Sequence, residues 1–203
     1  SAGVGAGDDR RWFGLDAAYR HDDGIDACRV AVPNPFAGGC FIATPQPDRD
    51  GYRNASLSAR AGARIGEAFK LEGSVLHAEG RNAYDGDFGN LSKVRQQVFG
   101  ANATWTGWDD VTLRVSAGRN TDASDTWQVG AGPYVPMGRF STDRDSASVQ
   151  ADVALGAVVL LSVGADWLRD TLDSDTPYAR TRRDDRAVFA QVQVGAGAHD
   201  LQL

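Results

Sequence analysis

Three short runs of the chain are dense in oxygen donors. The first holds Asp22, Asp23 and Asp26, the second reads Gln46-Pro47-Asp48-Arg49-Asp50-Gly51, and the third is Tyr84-Asp85-Gly86-Asp87 followed by Asn90. Carboxylates, amides and backbone carbonyls in such company suit calcium, which takes about 6–8 oxygen ligands. Asp-x-Asp-Gly at 48–51 has the opening of an EF-hand loop, but the twelfth position is Ala59 where that loop needs Glu. Solvated aspartates also form turns without any ion, because the side chain bonds its own backbone. Spacing alone leaves both readings open.

Other chemistry is absent from the pattern. His21, His77 and His199 are scattered, with no HExxH and no pair at ligand spacing. Neither a GxSxG elbow, nor a GxxxxGK[ST] phosphate loop, nor a Cys-x-x-Cys pair occurs, so the chain reads as a non-enzyme. Cys28 and Cys40 lie twelve positions apart in a Gly/Pro-rich stretch. That spacing fits a loop-closing disulfide in an oxidising compartment, or two free thiols in a reducing one.

Composition narrows the class. The net charge of -6 argues against nucleic acid, whose phosphates need a basic surface. Mean hydropathy is -0.36, and no stretch of about 18 apolar residues offers a transmembrane helix. Apart from Glu67, Glu72 and Glu79 every acid is Asp, and there are 24 glycines, which favours turns over helices. Nothing at the start has the basic and apolar regions of a signal peptide. Both ends read as cut from something longer.

The elements that must position these residues are strands. Ala55, Leu57, Ala59, Ala61, Ala63 and Ile65 alternate with Asn54, Ser56, Ser58, Arg60, Gly62 and Arg64. Similar alternation runs through 110–118, 146–155 and 186–194, giving each ribbon one oily and one wet face. Eight strands are expected, at 10–20, 51–65, 69–80, 93–105, 110–119, 143–155, 159–170 and 184–194, with a ninth starting at 199. Most run about 10–15 residues, well beyond the ~5–6 of ordinary strands and enough for the ~9–11 that cross a bilayer at a tilt.

Short links at 66–68, 106–109, 156–158 and 195–198 alternate with long ones at 21–50, 81–92, 120–142 and 171–183. All long loops then leave one end of the sheet, as in outer-membrane barrels, although soluble meanders can alternate similarly. The oily parity is lean in large side chains, with aromatics at Trp105, Trp167 and Phe189. The other parity carries Arg60, Arg64, Arg114, Asp152 and Asp166, charges that suit a water-filled lumen. Trp108 beside a short turn fits an interfacial girdle, or a turn Trp capping a soluble core.

These residues resemble a family. Pro47-Asp48-Arg49-Asp50-Gly51-Tyr52-Arg53-Asn54, opening a long alternating strand, is similar to the barrel of TonB-dependent outer-membrane receptors, in particular the vitamin B12 (cobalamin) receptors. Ala78-Glu79-Gly80-Arg81-Asn82-Ala83-Tyr84-Asp85-Gly86, Gln96-Gln97-Val98, Arg144-Asp145-Ser146-Ala147-Ser148-Val149-Gln150-Ala151-Asp152, Gly164-Ala165-Asp166-Trp167 and Val188-Phe189-Ala190-Gln191 continue the likeness in order. Together they span nearly the whole chain.

The resemblance implies an all-β, antiparallel, up-and-down transmembrane barrel segment: about eight or nine strands of a 22-stranded barrel. Residues 1–203 would carry neither the plug and TonB box nor the C-terminal strands. It implies a Gram-negative outer membrane, external loops at 21–50, 81–92, 120–142 and 171–183, a corrinoid ligand, and import powered by TonB. It also implies a structural calcium site of Asp26, Gln46, Asp48, Asp50, Asp85 and the Tyr84 carbonyl. In that family a further acidic ligand follows in the same loop; here Asn90 stands nearest, so that ligand is weakened or replaced, and Gly86 sits where the family places a small residue touching substrate. Cys28 and Cys40 would sit in an external loop, which favours the disulfide. Two other readings remain at this point: a complete eight-stranded outer-membrane barrel with a structural or adhesive role, and a soluble lipocalin-like barrel around an apolar cavity.

Overall fold

The computed structural model describes residues 1–26, 48–130, 132–197 and 199–203, with backbone alone at Ala196, His199 and Asp200. Ten strands follow one another: β1 (Ala2–Gly7), β2 (Arg11–Asp22), β3 (Tyr52–Ile65), β4 (Phe69–Ala83), β5 (Leu91–Trp108), β6 (Val111–Gln128), β7 (Val135–Leu155), β8 (Val159–Ser174), β9 (Arg182–Ala196) and β10 (His199–Gln202). Each pairs antiparallel with its neighbour in sequence, so the sheet order is the chain order. β1 and β10 lie at the two edges, and among the described residues the sheet does not close. This is one wall, neither a closed eight-stranded barrel nor a lipocalin-like container.

Register fixes the faces, because directly paired residues point the same way. One row runs Ala63–Leu71–Ala103–Val115–Val149–Ala165–Val188, wholly apolar from β3 to β9. On the opposite face Arg64, Lys70, Thr104, Arg114 and Gln150 form a polar row. The oily face is not sealed: Leu57 is 50% exposed, Ile65 57% and Val75 43%. Leu91 and Ala123 are the buried hydrophobic residues among those described. The chain exposes 14112 Å², whereas a compact soluble protein of 21.6 kDa exposes roughly 9,200 Å². A wall with two open faces has no core of its own, and its apolar face needs an apolar partner.

The oily band has a slanted upper edge. Its last apolar residue is Ala55 on β3, Val75 on β4, Phe99 on β5, Ala117 on β6, Ala147 on β7, Trp167 on β8 and Val188 on β9. Followed through the register, that edge falls by about eight residues over the six steps from β3 to β9. With about 3.3 Å per residue and about 4.8 Å between strands, this is a slant of roughly 40°. Strands of membrane barrels lean by about 35–45°. A level apolar band drawn across leaning strands makes this diagonal.

Four expectations need correction. There are ten strands, not nine, because Ala2–Gly7, a run of Ala, Gly and Val with little alternation in polarity, pairs with β2. Three long loops are far shorter than expected, spanning only 84–90, 129–134 and 175–181. There the strands continue past the oily band with polar residues on both faces, so hydropathy stops alternating while pairing goes on. Cross-strand ion pairs accompany that extension, among them Arg144–Asp170 at 2.7 Å and Arg169–Asp184 at 2.7 Å. Phe189 is not on the oily face; it pairs with Gly164 on the face of Gln150 and Arg114. Finally, Trp108 ends β5, and a register shift between Trp105 and Trp108 sets it opposite Val111 on the oily face. The two indoles meet edge-on at 4.9 Å, an aromatic pair at the turn end.

Candidate functional site

The oxygen-rich runs converge at the loop ends of β2 to β5. Asp22 Oδ1 accepts from the Gly24 N–H at 2.8 Å, and His21 Nε2 lies 3.0 Å from Asp23 Oδ1, which shapes the exit from β2. Gly24 has φ +68, and a Cβ there would collide with the Asp50 carbonyl, so the two ends of the first loop cross closely. Beyond the crossing, a line of backbone bonds ties the loop bases together. The Asp50 N–H donates to Ile25 C=O (3.0 Å), Ala83 N–H to Gly51 C=O (2.9 Å), Tyr84 N–H to Asn90 C=O (3.0 Å), and Asn90 N–H to Trp127 C=O (2.9 Å). Residues far apart in sequence thus stand shoulder to shoulder at one rim.

Within that line, the Asp26 Oδ1 is withdrawn from solvent without a hydrogen-bond partner, and both Asp85 oxygens are withdrawn from solvent as well. A buried carboxylate oxygen lacking a donor is costly unless a cation faces it. A cavity of about 450 Å³ adjoins, lined by Arg20, Asp22, Gly24, Ile25, Asp50 and Tyr52. The Arg20 guanidinium lies 5.8 Å from the Tyr52 ring centroid.

Of the residues singled out from sequence, Asp26, Asp50, Tyr84, Asp85, Gly86 and Asn90 share this rim, and Asp48 is exposed beside it. Gln46, Cys28 and Cys40 lie outside the described residues. Among the described residues no group of three or more His, Cys, Asp or Glu side chains gathers closely enough to hold a metal by itself. Asn90 bonds to the third loop. Its amide donates to Val129 C=O at 2.8 Å and its Oδ1 accepts from Val129 N–H at 2.7 Å, a two-point clamp on the next loop. Gly86 has a packing reason to be small, since a Cβ would strike the Gly89 carbonyl.

At the turn end the wet face carries a second polar centre. Asp152 accepts from Arg114, from Gln150 Nε2 at 2.8 Å and from Ser162 Oγ at 2.5 Å. Its side chain is 11% exposed and the carboxylate is well supplied with donors. Lys70 and Glu72 pair at 2.9 Å on the same face. Sequence reading placed Arg114 and Asp152 on one face; their partnership needed the register of β6 on β7.

No family model matches the chain. It is 26% identical over 168 residues to the vitamin B12 transporter BtuB of Photobacterium profundum, an alignment that covers 79% of this chain and 27% of that protein. Two solved structures superpose on nearly all of it. A mutant of the ferric enterobactin receptor PfeA of Pseudomonas aeruginosa gives a TM-score of 0.65 at 13% identity, covering 97% of this chain and 34% of that one. BauA, the ferric preacinetobactin receptor of Acinetobacter baumannii, gives 0.56 at 13% identity, covering 97% and 37%.

The wall is therefore a ten-stranded segment with the barrel fold of the TonB-dependent outer-membrane receptors. In sequence it is similar to a cobalamin transporter, and it spans about a quarter of that relative's length.

Proposed function

We propose that this chain forms part of the barrel wall and external rim of a TonB-dependent receptor that imports cobalamin or a related corrinoid. The observation that carries the ligand class is the 26% identity over 168 residues to a vitamin B12 transporter. The slanted oily band supports the membrane setting, with the polar face toward a water-filled lumen and the loop ends outside the cell. Further strands cover the edges of β1 and β10, since unpaired backbone in lipid is untenable. TonB would act through the receptor's N-terminal region.

In this reading calcium orders the rim. The donor set fits a hard cation: Asp26, Asp48, Asp50 and Asp85, with Gln46 and the Tyr84 carbonyl in support. The shielded Asp26 oxygen is the structural observation in its favour. Carboxylates gathered at one rim repel one another; neutralising them pins the first two loops before ligand arrives, so less binding energy goes into ordering. Gly86 borders the ligand. An external first loop also puts Cys28 and Cys40 in an oxidising compartment, where they form a disulfide.

The test uses the full-length receptor purified from outer membranes, titrated with cyanocobalamin in calcium and in chelator. Binding is expected, and chelation should weaken it roughly tenfold or more, the scale of about 1.4 kcal/mol of pre-organisation. Asp26→Asn should reduce that calcium dependence. Absence of cyanocobalamin binding, with a ferric siderophore bound instead, would overturn the corrinoid assignment. Equal affinity in calcium and chelator would remove the ion.

A further inference from the structure

We propose that the lipid-facing side of β2 to β6 carries a built site for a phosphorylated glycolipid of the outer leaflet. This rests on the orientation in the preceding reading, but not on the corrinoid. A cavity of about 550 Å³ lies on the oily-face parity just above the band's edge. Tyr19, Ala55 and Ala123 line it together with four cations, Arg53, Arg81, Lys93 and Arg95, and two acids, Glu79 and Asp125. Register explains the gathering: Arg53, Arg81, Lys93 and Asp125 form one cross-strand row, and Ala55, Glu79, Arg95 and Ala123 the row beneath.

Pairing sets this patch apart from the rest of the same rim. Toward β9 three cations of this face are matched by acids, Arg119 with Asp143 and Asp145 at 3.5 and 3.6 Å, Arg139 with Asp173 at 3.6 Å and Arg169 with Asp184 at 2.7 Å, and Arg186 alone stands apart from a carboxylate among the described residues there. Around the cavity, none of the four cations has a carboxylate within ion-pair distance among the described residues. Arg81 Nη2 reaches the Tyr134 hydroxyl at 3.5 Å, and Lys93 Nζ sits over the rings of Trp127 and Tyr134, 5.0 and 5.9 Å from their centroids. Glu79 leans toward His77 Nε2 at 3.3 Å. The aromatic supports hold Lys93 in place without neutralising it, which leaves positive charge at headgroup depth.

The surface below the cavity is shaped to match. Ala61, Gly73, Ala101, Ala117 and Ala147 form a row of small residues between Phe13 and Trp167, the floor of an apolar trough of about 1000 Å³. On β3 Ala59, where the trough begins, lies six residues below Arg53, roughly 20 Å at ~3.3 Å per residue and about an acyl chain's length, with the floor at Ala61 two residues further. Phosphates bind the cations, and acyl chains descend into the trough.

The test places the full-length receptor in nanodiscs of zwitterionic phospholipid and adds bisphosphoryl lipid A, its dephosphorylated form, or inorganic phosphate. Native mass spectrometry reads retained lipid, and thermal melting reads stabilisation. Bisphosphoryl lipid A should be retained and raise the melting temperature. The triple variant Arg81→Gln, Lys93→Gln, Arg95→Gln should weaken retention by roughly five-fold per charge removed. Arg139→Gln, an acid-paired cation of the same face that lines neither the cavity nor the trough, should leave it unchanged. Equal retention of the dephosphorylated form, an unaffected triple variant, or stabilisation by inorganic phosphate alone would overturn the site. Surface labelling of a cysteine introduced at Thr176 reports the orientation separately, and cyanocobalamin binding reports the corrinoid, so each failure can be told apart.

Discussion

Asn90 shows how a single side chain at the rim holds its neighbours. Its amide satisfies both backbone groups of Val129, and so joins the second loop to the third. Asn90→Ala removes both bonds, a loss of about 1–3 kcal/mol locally because buried backbone is left without a partner. Hydrogen exchange at the Val129 amide should quicken roughly tenfold or more. The aspartates above the band carry a pH signature. The hydrogen bond from Arg144 holds Asp170 below the ordinary aspartate pKa, and those from Arg182 and Arg169 do the same for Asp184. A carboxylate with a depressed folded-state pKa adds stability that is complete above the unfolded value, near 3.9, and fades as pH falls through the lower folded value. Protease resistance at the loop ends of β7 to β9 should persist at pH 5 and decline only below about pH 4. Sequence brought Asp26, Asp50 and Asp85 into one proposal correctly as to neighbourhood, because strand ends of successive hairpins must be adjacent. The clamp of Asn90 on Val129 was not legible, since nothing in the residue's own surroundings foretells that a backbone 39 positions on will meet its amide.

At the scale of the strand, alternation was legible wherever one face is oily. Inside the band each side chain declares its face by its polarity, and the stripe from Ala55 to Ile65 was plain from the residues. Beyond the band both faces are wet, so polarity carries no information about pairing. The upper parts of β4 to β9 therefore read as loop. Phe189 misled in the opposite sense, an aromatic ring on the wet parity opposite Gly164. Two neighbouring substitutions on β5 test the face assignment. Ala101→Arg puts a charge into hydrocarbon and should cost about 2–4 kcal/mol, with reduced outer-membrane yield of the full-length receptor. Asn102→Arg, one residue along and facing water, should assemble normally.

The whole wall buries so little that its stability must come from what adjoins it. Expressed alone, the 203 residues should bind hydrophobic dyes and aggregate, and should yield no heat-modifiable monomer on a gel. A folded, ion-conducting monomer of this length would instead mean that the two edges can meet. The slant of the oily band has a different consequence. Taken two strands at a time from β3 to β9, the edge steps down by four, two and two residues, so each pair of strands carries its own share of the descent and whole hairpins can be added or lost while the rest keep their lean. Relatives descended from a common ancestor could then vary in girth and in their repertoire of surface loops while the thickness matched to the bilayer stays constant.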